Sequence, residues 1–150
     1  MQSNEWRQQL VEGKEKTKRR CIAVALEHTP PQVHTILIRR SLSGCAYYNG
    51  RMAVPKPFTR KVLYIFLHEC AHFHLGHCGP KRRKPRHVKE YEAETWAHQK
   101  MRNAGIAVPR SMTKRAKQYV ARKIDRAVRR GAKRIDPDAQ RYARGWDILE

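Results

Sequence analysis

The spacing of hydrophobic residues changes period along this chain, and the changes outline its elements. Residues 4–13 carry Trp6 and Leu10 on one helical face, with Asn4 placed to cap and Gly13 to stop. A basic stretch, Lys14 to Arg20, leads to two short runs rich in Ile and Val. These, Cys21–Leu26 and Val33–Ile38, read as strands divided by Thr29-Pro30-Pro31. Gly44–Tyr48 and Arg51–Val54 flank Asn49-Gly50, a β-hairpin pattern. Pro55 and Pro57 end its second arm, because proline cannot donate to a sheet ladder. Thr59 then caps a helix predicted to reach about Leu75, apolar on several sides in its first half and closed by Gly76 and Gly79-Pro80. Beyond the basic loop Lys81–Arg86, a helix over His87–Ala104 stops at Gly105. Another opens at Pro109 and Ser111 and runs to about Arg130, ahead of Gly131, and the tail offers Tyr142 and Trp146 for docking. The order predicts an α+β domain: a small antiparallel sheet packed on the Thr59–Leu75 helix, with residues 1–105 as the core and 106–150 as a basic helical extension on the same domain.

Composition narrows the class. With 150 residues and 40% hydrophobic content, the chain is neither a large multidomain enzyme nor a disordered polyelectrolyte. Its longest apolar run, Val62–Leu67, falls far short of the roughly 18 residues that span a bilayer. Met1–Arg7 lacks the apolar segment of a signal peptide, so a cytoplasmic location without a membrane partner is expected. Cys21, Cys45, Cys70 and Cys78 form no CxxC pair and are expected to be reduced.

The chemistry concentrates in His68-Glu69-Cys70-Ala71-His72, an HExxH motif on the apolar helix. At roughly 100° per residue, His68 and His72 return to one face a turn apart, where two imidazoles can share a zinc ion. Glu69, one step round, is placed to act on a water beside that ion as general base. Charged groups in so apolar a helix are costly to bury without a compensating partner, and a metal is one. A third ligand is needed. The pattern HExxHxxGxxH fails, because position 75 is Leu75, position 78 is Cys78 and the glycine is Gly76. His74 and His77 fail by rotation, His77 pointing opposite to His68 at roughly 100° per residue, and read as surface or hydrogen-bonded histidines. The better candidate is Glu90 in Glu90-Tyr91-Glu92-Ala93-Glu94, with Glu94 the second choice, or the acceptor for a ligand imidazole.

HExxH followed by this Glu-x-x-Ala-Glu resembles the gluzincin pattern. The stretches Ser43–Tyr48 and Asn49–Val54, Phe58-Thr59, and Leu75-Gly76-His77 resemble the corresponding parts of ImmA/IrrE-type minimal gluzincins, over about residues 21–104. Where such families usually carry Asp, this chain has Glu94, one methylene longer, and no helix-turn-helix domain accompanies the motif. The resemblance implies a zinc-dependent endopeptidase: His68, His72 and Glu90 as metal ligands, Glu69 as the catalytic base, Glu94 behind the ligands. Substrate would be an intracellular protein or peptide, added as a strand to an edge at Arg51, Met52, Ala53 and Val54. His98 and Tyr119 are candidates to stabilise the oxyanion.

Charge adds a second theme. The formal net charge is +20, and between Arg110 and Arg134 there is a single acid, Asp125. Ala116, Val120, Ile124, Ala127 and Val128 form an apolar stripe, and Arg122, Lys123, Arg126, Arg129 and Arg130 surround it as candidate contacts to a nucleic-acid backbone. Three readings follow: a peptidase, a basic nucleic-acid-binding module with a purely structural zinc, or a protease acting on DNA-bound proteins. SprT-like enzymes do the last, ordinarily with a third histidine.

Overall fold

A computed structural model describes residues 2–79 and 84–144. Five helices and a small sheet follow one another as α1 (Gln2–His28), β1 (Thr35–Ile38), β2 (Cys45–Tyr47), β3 (Arg51–Val54), α2 (Arg60–His74), α3 (Arg86–Asn103), α4 (Arg110–Arg129) and α5 (Pro137–Arg144). The fold is α+β.

The N-terminal segment differs from its sequence reading. Helix α1 passes through Gly13 and the basic stretch, and Cys21–Leu26 is helical, not a strand. Strand alternation would bury Ile22, Val24 and Leu26 together. Instead Cys21, Val24 and Ala25 are buried, at helical spacing, while Leu26 is 69% exposed. Leu10 is also exposed, so the amphipathic face expected over 4–13 is not buried at that residue. The helix ends where Thr29 Oγ1 donates to the Ala25 carbonyl at 2.8 Å, ahead of Pro30.

The sheet is mixed, with order β1-β3-β2. β2 and β3 form the expected antiparallel hairpin, Cys45 facing Ala53 and Tyr47 facing Arg51. Gly50 supplies the turn with φ +82°, a left-handed conformation that suits glycine. β1, however, pairs with β3 in parallel, Thr35 facing Arg51 and Ile38 facing Val54. Arg51–Val54 is therefore the central strand. It cannot receive a substrate strand, because both its edges are already paired. Met52, Ala53 and Val54 are accordingly buried.

Helix α2 matches its sequence signals. Thr59 Oγ1 accepts the Val62 N–H at 3.3 Å, and every residue from Leu63 to Ala71 is buried. At the other end Gly76 turns left-handed, with φ +71°, and the His77 N–H folds back to the His72 carbonyl at 2.8 Å. The main core joins Cys21, Val24 and Ala25 of α1 with β3, α2, Ala97 and Met101 of α3, and Met112 and Ala116 of α4. A smaller cluster of Val120, Ala139 and Ala143 fastens α5 to α4, where Tyr142 packs on Tyr91. Trp146, the other expected docking residue, lies outside the described residues. No described helix is long and apolar enough to cross a membrane.

Candidate metal centre

Helices α2 and α3 run antiparallel, as the ladder of contacts between them shows. Moving back along α2, His72 meets Glu90, His68 meets Glu90 and Glu94, and Tyr64 meets Glu94 and His98. The pairing brings His68, His72 and Glu90 together as the one group among the described residues whose side chains could hold a metal ion. His68 Nε2 and Glu90 Oε2 are 3.1 Å apart, His68 Nε2 and His72 Nε2 3.1 Å, and His72 Nε2 and Glu90 Oε2 3.4 Å.

That triangle fits zinc. An ion about 2.0–2.1 Å from four tetrahedral ligands separates those ligands by about 3.3 Å, close to the spacing seen here. Each ring nitrogen facing away from the cluster has a polar neighbour, and that of His72 is hydrogen-bonded to it. His72 Nδ1 lies 2.9 Å from His77 Nδ1, and His77 Nε2 lies 2.9 Å from Glu92 Oε2. His68 Nδ1 is 3.2 Å from Glu94 Oε1, near enough for an ion pair but out of line for a hydrogen bond, so this buried nitrogen lacks one. Fixing the outward nitrogen of each ring presents the other to a metal.

Electrostatics reinforce the geometry. Burial opposes a charge on His68, but Glu94, with Glu90 and Glu69, outweighs it and holds the imidazole pKa well above its usual value. Burial also disfavours a charged Glu90. Its hydrogen bonds to His68 and His72 prevail and hold the carboxyl well below the usual range. His72 moves down, chiefly through burial. A cation is thus already favoured among these donors, on a proton where a metal would otherwise sit.

Glu69 stands beside this group and outside it. It is 7% exposed, and burial pushes its carboxyl up to about 7, His68 opposing the rise and Glu90 and Glu94 reinforcing it. The β2 side holds it in place. A Cβ on Gly44 would come within 2.6 Å of Glu69 Cγ and 2.8 Å of its Oε1, so only glycine leaves this carboxylate its position. Glu69 and His68 line two adjoining cavities, of about 170 and 520 Å³, and Tyr119 forms a wall of both. The larger also reaches His72, Glu90 and the β2 residues Cys45 and Ala46.

Other expected residues sort differently. Tyr119 faces the site, its ring centre 6.5 Å from that of His68. His98 is taken up behind it, between Tyr64 Oη at 3.1 Å and Thr113 Oγ1 at 3.0 Å, and lines neither cavity. Cys70 is wholly buried, and Cys78, though on the cavity wall, is not among the metal-ligating group. His77 is 5% exposed and hydrogen-bonded, as one of its two readings had it. Its direction differs from the rotational estimate because the helix does not continue: Gly76 turns the chain back. Two contributors escape the sequence reading. Gly44 leaves no local signal. Tyr64, whose hydroxyl bonds Glu94 Oε2, sits one turn before His68 on the same face. Arg122, Lys123, Arg126 and Arg129 lie on the second half of α4 and Arg130 caps its end, all but Lys123 exposed; Lys123 Nζ lies 4.8 Å from the centre of the Tyr119 ring.

No protein-family model, curated protein or solved structure matches this chain.

Proposed function

We propose that the protein is a zinc-dependent endopeptidase of the minimal gluzincin kind, acting on an intracellular protein or peptide. One observation carries the reading: three convergent donors, His68, His72 and Glu90, open onto a cavity, while Glu69 lies beside them and is not one of them. A purely structural zinc is normally closed by four protein ligands, and among the described residues this group has three. Bound there, zinc would supply Lewis acidity, polarising a peptide carbonyl and acidifying water. Glu69 takes a proton from the attacking water as its oxygen joins the carbonyl carbon. It then returns that proton to the amide nitrogen as the C–N bond breaks. Its raised pKa suits both transfers. Glu94 and His77 hold the His68 and His72 rings, and Tyr119 is the side chain placed to face the developing oxyanion.

The strand that receives substrate is β2 rather than Arg51–Val54. β2 is at the sheet edge, and Gly44, Cys45 and Ala46 line the metal cleft, so an extended peptide paired there passes Glu69. The test compares cell extract incubated with zinc-loaded wild type and with Glu69→Gln. New peptide termini should accumulate with wild type and fall by several orders of magnitude in rate with the variant. Equal cleavage by both would remove Glu69 from the reaction.

A further inference from the structure

A third cavity, of about 350 Å³, lies between the start of α3 and the end of α4 and shares Arg86 with the metal cleft. Arg86, Lys123, Arg126 and Arg130 line it, and no carboxylate does. Among the described residues, Lys123, Arg126 and Arg130 have no ion-pair partner, while Arg86 pairs with Glu90, at 3.7 Å, and hydrogen-bonds Tyr119. Cations gathered around one cavity repel one another unless an anion joins them. Burial, then the charges of Arg86 and Arg126, draw the Lys123 ammonium pKa down.

One residue of the cavity wall carries an unpartnered buried donor. His87, a wall of the cavity, is 2% exposed, and its Nε2 accepts the Asp136 N–H at 3.2 Å. The ring proton therefore resides on Nδ1, which is buried with no acceptor. A donor left in that state is destabilising. The backbone agrees. α3, 18 residues long, begins here with neither a side-chain cap nor an acid in its first turn, presenting its positive end. At the end of α4 the Ala127 and Val128 carbonyls accept the Ala132 and Gly131 N–H groups.

We propose that this cavity binds a phosphate group, and that the group belongs to a nucleic-acid backbone. Several cations with two or more fixed donors exceed what a carboxylate needs and match a phosphate's several oxygens. The exposed Arg122 and Arg129 carry the positive charge beyond the cavity along α4, as a polymer would require and a free phosphate would not. Because Arg86 belongs to both cavities, a bound strand lies beside the metal cleft. The inference stands apart from the peptidase reading and does not need zinc.

The test titrates the full chain with a labelled single-stranded oligonucleotide across a salt series, and separately with inorganic phosphate. Lys123→Gln with Arg126→Gln removes two charges from the cavity; Arg122→Gln with Arg129→Gln removes two from the same helix outside it. Thermal melting checks that each is folded, and the exposed Arg130→Gln repeats the cavity arm with one charge should the first pair fail to fold. The cavity pair should flatten the slope of log affinity against log salt by about 2, and the outer pair by less than half as much. The His87 Nδ1 nitrogen resonance should shift on adding oligonucleotide. Should inorganic phosphate move that resonance in a manner sensitive to the cavity pair, while oligonucleotide does not, the assignment to nucleic acid is overturned in favour of a free phosphate. Equal losses from both pairs with His87 unmoved, or no binding of either probe, would overturn the site itself.

Discussion

Gly44 and Glu69 are 25 positions apart in sequence, and a side chain at position 44 would take the space that Glu69 occupies. The carboxylate needs to be near the ligands without joining them, and the missing side chain at position 44 provides the room. Gly44→Ala should therefore displace Glu69 and leave the metal donors in place. Hydrolysis is expected to fall by about 10²-fold with zinc affinity within a few-fold of wild type, since small misplacement of a catalytic group is expensive. Parallel activity assays and zinc titrations check this; a loss of both in step would place Gly44 in the metal site itself. Of the site's residues, those carried by one helix are legible from spacing. His68, Glu69 and His72 follow from the motif, and Glu90 and Glu94 stand out as acids in a basic region. Gly44 is not legible, because its meaning lies wholly in a contact between elements.

Element boundaries were legible where local chemistry sets them. Thr59 and Gly76 mark α2 because a cap and a left-handed stop are properties of a few adjacent residues. Cys21–Leu26 misleads because a short apolar run fits a strand or a buried helix alike, and only packing against α2 decides. The rank of β3 within the sheet was hidden for a similar reason. Hairpin signals fix the β2–β3 pair, whereas the parallel pairing of β1 depends on where the chain returns. The turn at Gly76 also has a functional consequence. It carries His77 back onto His72 and passes the contact on to Glu92, which also holds Lys84. His77→Ala should weaken zinc binding by about 10-fold without abolishing it, since partners that orient a ligand typically matter at that level. An unchanged affinity in a zinc titration would show that the His72 ring is held without it.

Across the molecule, the metal-free protein should respond to pH in a direction set by its buried groups. Glu69 has its folded pKa raised from 4.5 to about 7, so its contribution is fully present below 4.5 and lost as pH rises through about 7. His68, raised well above 6.5, contributes below that value and loses its contribution as pH climbs through its folded pKa. Glu90, held low, acts in the opposite sense and gives up stability only in acid. His72, His77, His87 and His98, held low chiefly by burial, act against that loss as pH rises through 6.5. Above that range they are neutral folded or unfolded, so metal-free protein should melt at a lower temperature at pH 8 than at pH 7. Zinc held there would take the place of the His68 proton, so its stabilising effect should be larger at pH 8. Melting curves at the two pH values, with chelator and with zinc, check both halves.

Zinc binding at equilibrium, measured on wild type, Glu69→Gln and Glu90→Gln in parallel, separates the two carboxylates on which the proposed chemistry depends. Wild type should bind about one zinc per chain. Glu69→Gln should bind it with similar affinity, while Glu90→Gln, having lost a charged ligand, should bind at least about 10-fold more weakly. No zinc bound by the wild type, or equal weakening by both substitutions, would contradict a centre made of His68, His72 and Glu90 with Glu69 free to act beside it.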